Sequence, residues 1–552
     1  MPFFDPRTPV VKMDNGRDFF IQGHRNIPAA HQVRVEPSNA AKYNGRRKIW
    51  SRGLVLSALL LLVISVIAVC GQNHYVAVRV RIQKYNDFKF HRKSIRGGAH
   101  GGDGIGDLVD SDGVAGNPVK YPPTKCKLPN YLSKDGQIVA VAANGTEMPL
   151  SIKGVNWFGM ETAQAIPFGL WDNDTAGTTA VSPKIAISYH IASFLSTNNF
   201  NTVRLPVMVD HILKNSKPNK GMINMYSNQA VSVKDYLSML KSIVKVLQYR
   251  HIGVLISIHT LTETDSGGLW HNADISEDDF LKSYDILTSN LCSDEYWNVV
   301  GLDIKNEPYK ATWGTGKPES DFQLGAKLLS ERMLEGCPQW LAFIEGLNYR
   351  THDVVLDGEK FTYNDWYGGG LQDVKTKPIE LSTKHKIVWA PHYYTSAVFV
   401  QPYFYGGGKL DPATRELNDF VELSDTALKN RVAGTMEDMF GYLVDEAPQY
   451  AVVLGEFGGI YARDEHPKKT IQRTVDFNVE VMLERGYAGG FVWSLNPESK
   501  YQYVSADKGS PASTFDEGLL EIDWLTANSA YLDAVKPLDA LADLRKFPCF
   551  SN

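Results

Sequence analysis

The segment VVGLDIKNEP, residues 299–308, starts as an apolar strand and ends in the polar pair Asn306-Glu307. Short β-branched runs like it recur from about residue 125 onward, and longer segments of helical periodicity, such as 233–250, separate them. This alternation predicts parallel βαβ units in an α/β protein. Eight runs predict a (β/α)8 barrel with long loop insertions, and they cover residues 152–157, 202–205, 254–258, 299–304, 341–345, 386–390, 451–454 and 490–493.

Each predicted strand ends in, or is followed by, a side chain that can take part in chemistry. In strand order these are Asn156, Arg204, His259, Asn306 with Glu307, Glu345, His392 with Tyr394, Glu456, and Trp493. The C-terminal strand ends of a (β/α)8 barrel meet at one mouth, where active sites are built. A solvated loop explains any one of these residues, but their recurrence at eight equivalent positions predicts an active site.

Two of these side chains, Glu307 and Glu456, are a candidate catalytic pair. Cleavage of a glycosidic bond needs a proton for the leaving oxygen and an anion that faces the developing oxocarbenium ion, and two carboxyl groups supply both. A separation of about 5 to 5.5 Å between the carboxyl groups indicates double displacement with retention, whereas about 6.5 to 9.5 Å indicates inversion. We expect Glu307 to be the acid/base and Glu456 the nucleophile.

The neighbouring strand ends supply supporting groups. Arg204 is expected beside Glu456, where its charge lowers the pKa of the carboxylate, and Tyr394 is expected to steady the same group. Asn306 is expected to donate a hydrogen bond to the sugar 2-hydroxyl. His259 and His392 either orient the substrate and control the protonation of the acid, or have a structural role only.

Other functions find little support in the sequence. The net charge is only −5, and basic residues are mixed with acids everywhere except around one apolar segment, so the sequence does not indicate a nucleic-acid partner. The zinc-protease, serine-hydrolase, Walker and dinucleotide-binding motifs are all missing from the sequence. We therefore predict no cofactor and no metal. Nothing in the sequence determines the oligomeric state.

The N-terminal region predicts a membrane anchor. Residues 1–52 show no helical or strand period, which predicts a disordered tail, and the uncharged apolar segment 53–71 is long enough to span a bilayer. A buried core helix is the alternative. The basic cluster at 46–52 places the tail in the cytoplasm by the positive-inside rule. Because about fifty residues precede the span, an uncleaved signal anchor is expected, and cleavage after Cys70 is the alternative.

A flexible stalk is predicted over residues 72–124, because glycine and aspartate dominate positions 97–117. Its aspartates lack the spacing and terminal glutamate of an EF-hand. The catalytic domain is expected over 125–552. These segments predict a single-pass type II plasma-membrane protein with its catalytic domain outside the cell; shedding or secretion is the alternative.

Four cysteines follow the predicted anchor, and in an oxidising compartment they allow two disulfides among three connectivities. Cys126 and Cys549 bracket the predicted barrel, whose termini are expected to meet at its closed end. We therefore predict that they pair and that Cys292 pairs with Cys337. Asn144 and Asn173 begin glycosylation sequons.

At these residues the chain resembles glycoside hydrolase family 5, most closely its secreted endo-β-1,4-glucanases. The resemblance extends from about residue 151 to residue 541. It is carried by GVNWFGME (154–161), FNTVRLP (200–206), GLW (268–270), GLDIKNEP (301–308), FIEG (343–346), APHYY (390–394), LGEFG (454–458) and VWSLNP (492–497).

The resemblance implies that Glu307 is the acid/base, that Glu456 is the nucleophile, and that Trp493 joins the supporting residues Arg204, His259, Asn306, His392 and Tyr394. It also implies that sugar-stacking aromatics line a cleft at Trp171, Trp270, Trp313 and Trp366. Relatives often carry an acidic and a basic residue just before the third-strand histidine, where this chain has Ser257-Ile258. This departure bears on the polarity of the sugar subsites. The loops at 406–423 and 500–516 are expected to be particular to this chain.

The leading hypothesis is therefore an endo-acting β-1,4-glucanase on the cell surface, whose partner is a β-glucan polysaccharide or oligosaccharide. A second hypothesis keeps the mechanism and changes the substrate, to β-mannan, β-1,3-glucan or a glycosyl transfer that remodels the cell wall. A third, from another class, is a barrel that binds polysaccharide without cleaving it.

Overall fold

The computed structural model describes residues 118–170, 188–225, 228–348, 350–410, 417–503 and 513–551. The predicted tail, the predicted membrane span and most of the predicted stalk lie outside these ranges. Trp171 and Asn173 also lie outside them. Among the helices within these ranges, none combines the length and the apolar character that a bilayer crossing requires.

Within the described residues, the strands form one parallel sheet and four small antiparallel ones. In chain order they are Asn130–Lys134 (β1), Gln137–Val141 (β2), Glu147–Leu150 (β3), Ile152–Asn156 (β4), Thr202–Met208 (β5), Gly253–Thr260 (β6), Val299–Asp303 (β7), Leu341–Ile344 (β8), Thr351–Leu356 (β9), Glu359–Asn364 (β10), Ile387–Trp389 (β11), His392–Tyr394 (β12), Tyr405–Leu410 (β13), Leu417–Glu422 (β14), Val453–Gly458 (β15), Gly489–Trp493 (β16), Lys500–Tyr503 (β17) and Ser513–Asp516 (β18).

The parallel sheet closes into a barrel. Its order is β11-β8-β7-β6-β5-β4-β16-β15-β12, and β11 and β12 are two halves of one strand position, interrupted at Ala390-Pro391. Proline has no N–H to donate to the ladder, which is consistent with a break there. Trp389 also bridges to Val452, beside β15. The ring therefore contains eight strand positions, and the predicted (β/α)8 barrel is confirmed.

Helices surround the barrel and bury their apolar faces against it. They are Ser188–Thr197 (α1), Val209–Lys214 (α2), Tyr236–Tyr249 (α3), Glu277–Leu291 (α4), Phe322–Gly336 (α5), Asp425–Met439 (α6), Thr470–Arg485 (α7) and Ser529–Val535 (α8). The helix predicted over 233–250 corresponds to α3, which begins after Asp235 because that side chain accepts the N–H of Ser238.

The sheet β1–β3 covers the closed end of the barrel. The N–H of Tyr131 donates to the carbonyl of Gln339, just before β8, and the N–H of Ser133 donates to the carbonyl of His385, just before β11. These partners lie at the N-terminal ends of barrel strands, so the sheet lies opposite the mouth. The eight predicted strands do not include this sheet.

Three β-hairpins extend the loops at the mouth, each following the C-terminal end of a barrel strand. They are β9–β10 after β8, β13–β14 after β12, and β17–β18 after β16. The loops predicted to be particular to this chain, 406–423 and 500–516, correspond largely to the second and third hairpins. Long βα loops on this fold determine which ligands the mouth accepts.

Both predicted disulfides are confirmed. Cys126 pairs with Cys549 with a Cα–Cα distance of 4.8 Å, and Cys292 pairs with Cys337 with a Cα–Cα distance of 5.7 Å. The first bond joins the segment before β1 to the C-terminus. The second joins the ends of α4 and α5. Asn144 lies exposed in a turn, so its glycosylation stays a prediction.

We expect the two disulfides to stabilise the fold unequally. The Cys126–Cys549 bond spans 423 residues and the Cys292–Cys337 bond spans 45. A chain-entropy model therefore gives the first bond about 2 kcal/mol more stabilisation. The double variant Cys126→Ser/Cys549→Ser should show the larger drop in the free energy of unfolding, measured by urea titration against Cys292→Ser/Cys337→Ser. Equal drops would contradict this explanation.

Candidate active site

Arg204 lies at the centre of the mouth, on β5, and is fully buried. Its Nη1 donates to Glu456 Oε1 at 2.5 Å and to Asn156 Oδ1 at 2.9 Å, and its Nη2 donates to Asn306 Oδ1 at 2.8 Å. The predicted contact between Arg204 and Glu456 is therefore present in the structure.

The same guanidinium contacts two further carboxylates. Arg204 Nε donates to Asp303 Oδ2 at 2.8 Å, and Nη2 donates to Glu345 Oε1 at 3.1 Å. Both acids are completely buried. Buried charges persist in proteins only when they are paired, so this arginine is the group that makes an acidic interior possible.

Glu456 lies on β15 and is almost wholly buried. The hydroxyl of Tyr394 donates to its Oε2, and His392 Nδ1 lies 3.6 Å from that oxygen. Burial by itself raises the pKa of Glu456, but the positive charges of His392 and Arg204, together with the Tyr394 hydrogen bond, hold that pKa below its ordinary value. The group is therefore ionised at neutral pH.

Glu307 follows β7 and has a different environment. Its side chain is 22% exposed, against 4% for that of Glu456. Its Oε1 lies 3.0 Å from His392 Nδ1, and its backbone N–H donates to Glu345 Oε2 at 2.8 Å. The backbone of Glu307 is left-handed, with φ of +44°, which costs a non-glycine residue roughly 1–2 kcal/mol.

The two glutamates face each other. One carboxylate oxygen of Glu307, one of Glu456 and a ring nitrogen of His392 lie within 4.8 Å of one another. The structure thus brings together two carboxylates that are far apart in the chain. An oxygen–oxygen distance of no more than 4.8 Å fits the spacing of about 5 to 5.5 Å between carboxyl groups in double displacement better than the spacing of about 6.5 to 9.5 Å in inversion.

The two histidines at the mouth, His392 and His259, have different charge states. Burial lowers the pKa of His392, but Glu345 and Glu456 raise it more, so its net pKa lies well above the ordinary value. Burial and the nearby Arg204 both lower the pKa of His259, well below its ordinary value. At neutral pH His392 is therefore an imidazolium, whereas His259 is a neutral ring.

Metal binding is disfavoured at the mouth. Two groups bring three ligand-type atoms within 4.8 Å of one another: Glu307, His392 and Glu456, and Asp303, Glu345 and His392. His392 is common to both, and its imidazolium form offers no lone pair on either ring nitrogen. Arg204 already pairs with a carboxylate of each group. The arrangement therefore suits protons and the guanidinium better than a divalent cation.

Trp493 ends β16 at the mouth and is 4% exposed. Its ring is nearly parallel to that of Phe158, with centroids 5.4 Å apart, and to that of His259, with centroids 5.9 Å apart. These neighbours set the orientation of the indole at the mouth. A sugar contact for Trp493 stays a prediction.

Three other tryptophans do not line a cleft, in contrast to the expectation from sequence. Trp270, Trp313 and Trp366 are between 0% and 5% exposed and belong to the main hydrophobic core. Their indole N–H groups donate to protein acceptors, which are respectively a carboxylate oxygen of Glu277, the carbonyl of Lys377 and the hydroxyl of Tyr403. Their faces pack against protein atoms, so stacking on sugars is wrong for these three.

The structure adds Asp303 to the predicted site and gives a specific place to Glu345, which was predicted only as a strand-end side chain. Asp303 and Glu345 complete the shell around Arg204. A charged residue inside an apolar run, as Asp303 is in VVGLDI, was the available signal, because buried charges need partners. Tyr309 and Tyr367 form a second addition: their rings stack with centroids 5.1 Å apart and an interplanar angle of 6°.

A closed (β/α)8 barrel with two facing carboxylates at its C-terminal mouth defines the class of O-glycosyl hydrolases. Residues 141–499 match the model of the family described as cellulase (glycosyl hydrolase family 5). The chain therefore belongs to glycosyl hydrolase family 5, and the resemblance seen in its sequence is confirmed.

Individual relatives agree with this assignment. The chain is 27% identical over 390 residues to the major extracellular endoglucanase of Xanthomonas campestris pv. campestris, covering 70% of this chain and 68% of that one. It is 25% identical over 403 residues to an endoglucanase of Paenibacillus polymyxa, covering 71% and 84% respectively. An endocellulase from Pyrococcus horikoshii, solved in complex with cellotetraose, is 28% identical with a TM-score of 0.59, covering 76% of this chain and all of that one.

We expect Tyr394→Phe to shift the pH profile. Losing a hydrogen bond to the charged Glu456 costs about 1.5–3 kcal/mol, which raises its pKa by about one to two units. If activity requires ionised Glu456, the acidic limb of the kcat/KM profile moves to higher pH by that amount. Tyr461→Phe is the control, because its hydroxyl donates to the carboxylate of Asp476 instead. An unchanged acidic limb in Tyr394→Phe would contradict the role given to this hydrogen bond.

Proposed function

We propose that the protein is a retaining endo-β-1,4-glucanase in which Glu307 is the acid/base and Glu456 the nucleophile. The observation that carries this proposal is the face-to-face placement of the two glutamates, with oxygens within 4.8 Å. Their environments support opposite roles. Glu456 is buried among cations that keep it ionised, whereas Glu307 is partly open to the mouth.

In the first step the Glu456 carboxylate attacks the anomeric carbon while the bond from that carbon to the leaving oxygen breaks. Glu307 transfers its proton to the leaving oxygen, so the departing sugar leaves as a neutral alcohol. In the second step Glu307, now a carboxylate, takes a proton from water, and the hydroxide oxygen displaces Glu456 from the anomeric carbon. Two inversions give net retention.

Asn306 and His392 assist these steps. Because Asn306 Oδ1 accepts from Arg204, the amide NH2 group is turned away from the guanidinium, and we expect it to donate to the sugar 2-hydroxyl. The imidazolium of His392 lies within 3.6 Å of both glutamates. Its charge stabilises whichever of them is ionised as the proton moves.

The relatives support β-1,4-glucan as the substrate. The Xanthomonas and Paenibacillus relatives are endoglucanases, and the Pyrococcus structure holds cellotetraose. The catalytic apparatus of β-mannanases, β-1,3-glucanases and transglycosylases uses the same two steps, so product analysis on several polysaccharides separates them. Both carboxylates, Arg204 and Asn306 are in place, which disfavours a barrel that only binds polysaccharide.

We further propose the arrangement of the whole chain. It comprises a cytoplasmic tail (1–52), a membrane anchor (53–71), a stalk (72–124) and an extracellular catalytic domain (125–552). Two disulfides in the described residues suit an oxidising compartment. The Xanthomonas relative is extracellular, which supports the same location for the barrel.

The leaving-group side of the cleft is proposed to include Tyr309 and Tyr367. Tyr309 follows Glu307 by two residues, and its N–H donates to the carbonyl of Glu307. Tyr367 precedes Gly368, which packs against Glu345 and His392. The stacked, partly exposed pair therefore flanks the acid/base, and the departing sugar lies on the acid/base side.

Variants of the two glutamates test the reaction. Glu456→Ala and Glu307→Ala should each lose about a hundred-fold or more in kcat on carboxymethylcellulose, because acid–base and nucleophilic groups contribute factors of this size. Glu147→Ala, an exposed glutamate in the sheet at the closed end, is the control. Proton NMR of the first product should show the β-anomer. Undiminished activity in Glu456→Ala, or an α-anomer, would refute the assignment.

The tyrosine pair gives a separate test of substrate binding. Tyr309→Ala or Tyr367→Ala removes about 0.5–1.5 kcal/mol of ring contact, which predicts a KM for cello-oligosaccharides raised by about 2- to 13-fold. An aryl β-cellobioside has no sugar on the leaving-group side, so its KM should change little. Tyr450→Ala, a partly buried ring just before β15, is the control. Equal effects on both substrates would place the pair elsewhere.

A further inference from the structure

Glu345 lies at the end of β8, fully buried, and both of its carboxylate oxygens face the catalytic groups. Its Oε2 accepts the backbone N–H of Glu307 at 2.8 Å. Its Oε1 lies 3.1 Å from Arg204 Nη2 and 3.1 Å from His392 Nε2. One side chain thus contacts the acid/base, the imidazolium and the central cation, without a face open to the cleft.

The hydrogen bond between Glu345 and the backbone of Glu307 lies at a strained backbone position. Glu307 has φ of +44°, a conformation that non-glycine residues keep only when their surroundings determine it. Because the buried carboxylate of Glu345 accepts the N–H of Glu307, it stabilises this conformation. The preceding residue, Asn306, donates its N–H to the carbonyl of Ile258 instead, so the N–H of Glu307 is the one directed at Glu345.

The contact with His392 fixes the ring. Glu345 lies at Nε2, and Glu307 lies at Nδ1 on the other side of the same ring. The Glu345 contact is an ion pair rather than a directed hydrogen bond, since Nε2 has no acceptor in line with it. The imidazolium is therefore held between two carboxylates, one structural and one catalytic.

Gly368 encloses Glu345 from the other side. A methyl group at this glycine would lie 2.6 Å from Glu345 Oε2, and its φ of +75° favours glycine as well. The carbonyl of Gly368 accepts the N–H of Gly346 at 2.7 Å, which holds the loop against the end of β8. The carboxylate therefore has one position available to it.

A carboxylate oxygen of Asp303 lies within 4.8 Å of one of Glu345. Burial and the neighbouring Glu345 raise the pKa of Asp303 to about 8. Near pH 6, Asp303 is consequently protonated. Glu345 faces three groups that donate or carry positive charge, which are the N–H of Glu307, Arg204 and His392.

We propose that Glu345 is a positioning residue for proton delivery, which holds the backbone of Glu307 and the ring of His392 without touching the substrate. This inference rests on the proposed function, because it takes Glu307 as the acid/base. It predicts a defect in one half of the reaction. A substitution of Glu345 should slow the delivery of the proton to the leaving oxygen. It should leave the rate of attack by Glu456 on the anomeric carbon unchanged.

Substrates with different leaving groups distinguish proton delivery from nucleophilic attack. Cello-oligosaccharides need a proton on the departing oxygen, whereas 2,4-dinitrophenolate leaves as a stable anion without one. For a two-step reaction kcat/KM reports the first step. The experiment therefore compares kcat/KM of the full chain on cellotetraose and on 2,4-dinitrophenyl β-cellobioside.

Glu345→Gln keeps the shape of the side chain but can accept at only one end. We expect kcat/KM on cellotetraose to fall about 30-fold or more, and kcat/KM on the dinitrophenyl substrate to fall less than about 3-fold. Gly368→Ala displaces the carboxylate without removing it and should give the same pattern. If Glu345→Gln does not fold, the Gly368→Ala comparison decides alone.

Asn156→Ser is the matched control. Asn156 accepts from Arg204 Nη1 at 2.9 Å but has no hydrogen bond to Glu307, Glu345 or His392 in the described residues, so both substrates should be affected alike. Equal losses on the two substrates in Glu345→Gln and Gly368→Ala, or no loss on cellotetraose, would overturn the positioning role. A failure of the proposed function looks different: the unmodified chain would then turn over neither substrate.

Discussion

The buried guanidinium of Arg204 is the interaction on which the mouth of the barrel depends. It donates to side chains that follow or end four other strand positions, namely Asn156, Asp303, Asn306, Glu345 and Glu456. Removing one partner of a buried charge leaves the other uncompensated, which costs several kcal/mol. The strand ends are therefore held in one relative arrangement, and this arrangement sets the spacing of Glu307 and Glu456.

The same cation organises the protonation states around it. Together with His392 it keeps Glu456 ionised, and with burial it keeps His259 neutral. The acids in turn keep His392 charged, whereas Asp303 takes up a proton. Four titratable groups within one shell thus differ in charge because each has a different set of neighbours, as is typical of sites that carry out acid–base chemistry.

The rest of the fold supports this shell from the closed end of the barrel. The loops at the mouth determine which substrate reaches it. The sheet β1–β3 and the Cys126–Cys549 bond close the far end of the barrel, where no chemistry takes place. Three hairpins and the Tyr309–Tyr367 pair lie at the mouth instead. A family 5 barrel can consequently keep its two glutamates while changing which polysaccharide reaches them.

The sequence by itself determined the eight strands, several to within one residue at each end, because their runs of β-branched residues alternate with segments of helical period. It also predicted that Arg204, Glu307 and Glu456 meet at one mouth, since parallel strand ends must converge. Only the tertiary structure decided that Trp270, Trp313 and Trp366 are core, that two similar histidines carry different charges, and that Glu345 holds Glu307. Exposure, pKa and hydrogen-bond partners arise from residues distant in the chain, and a linear pattern does not contain those distances.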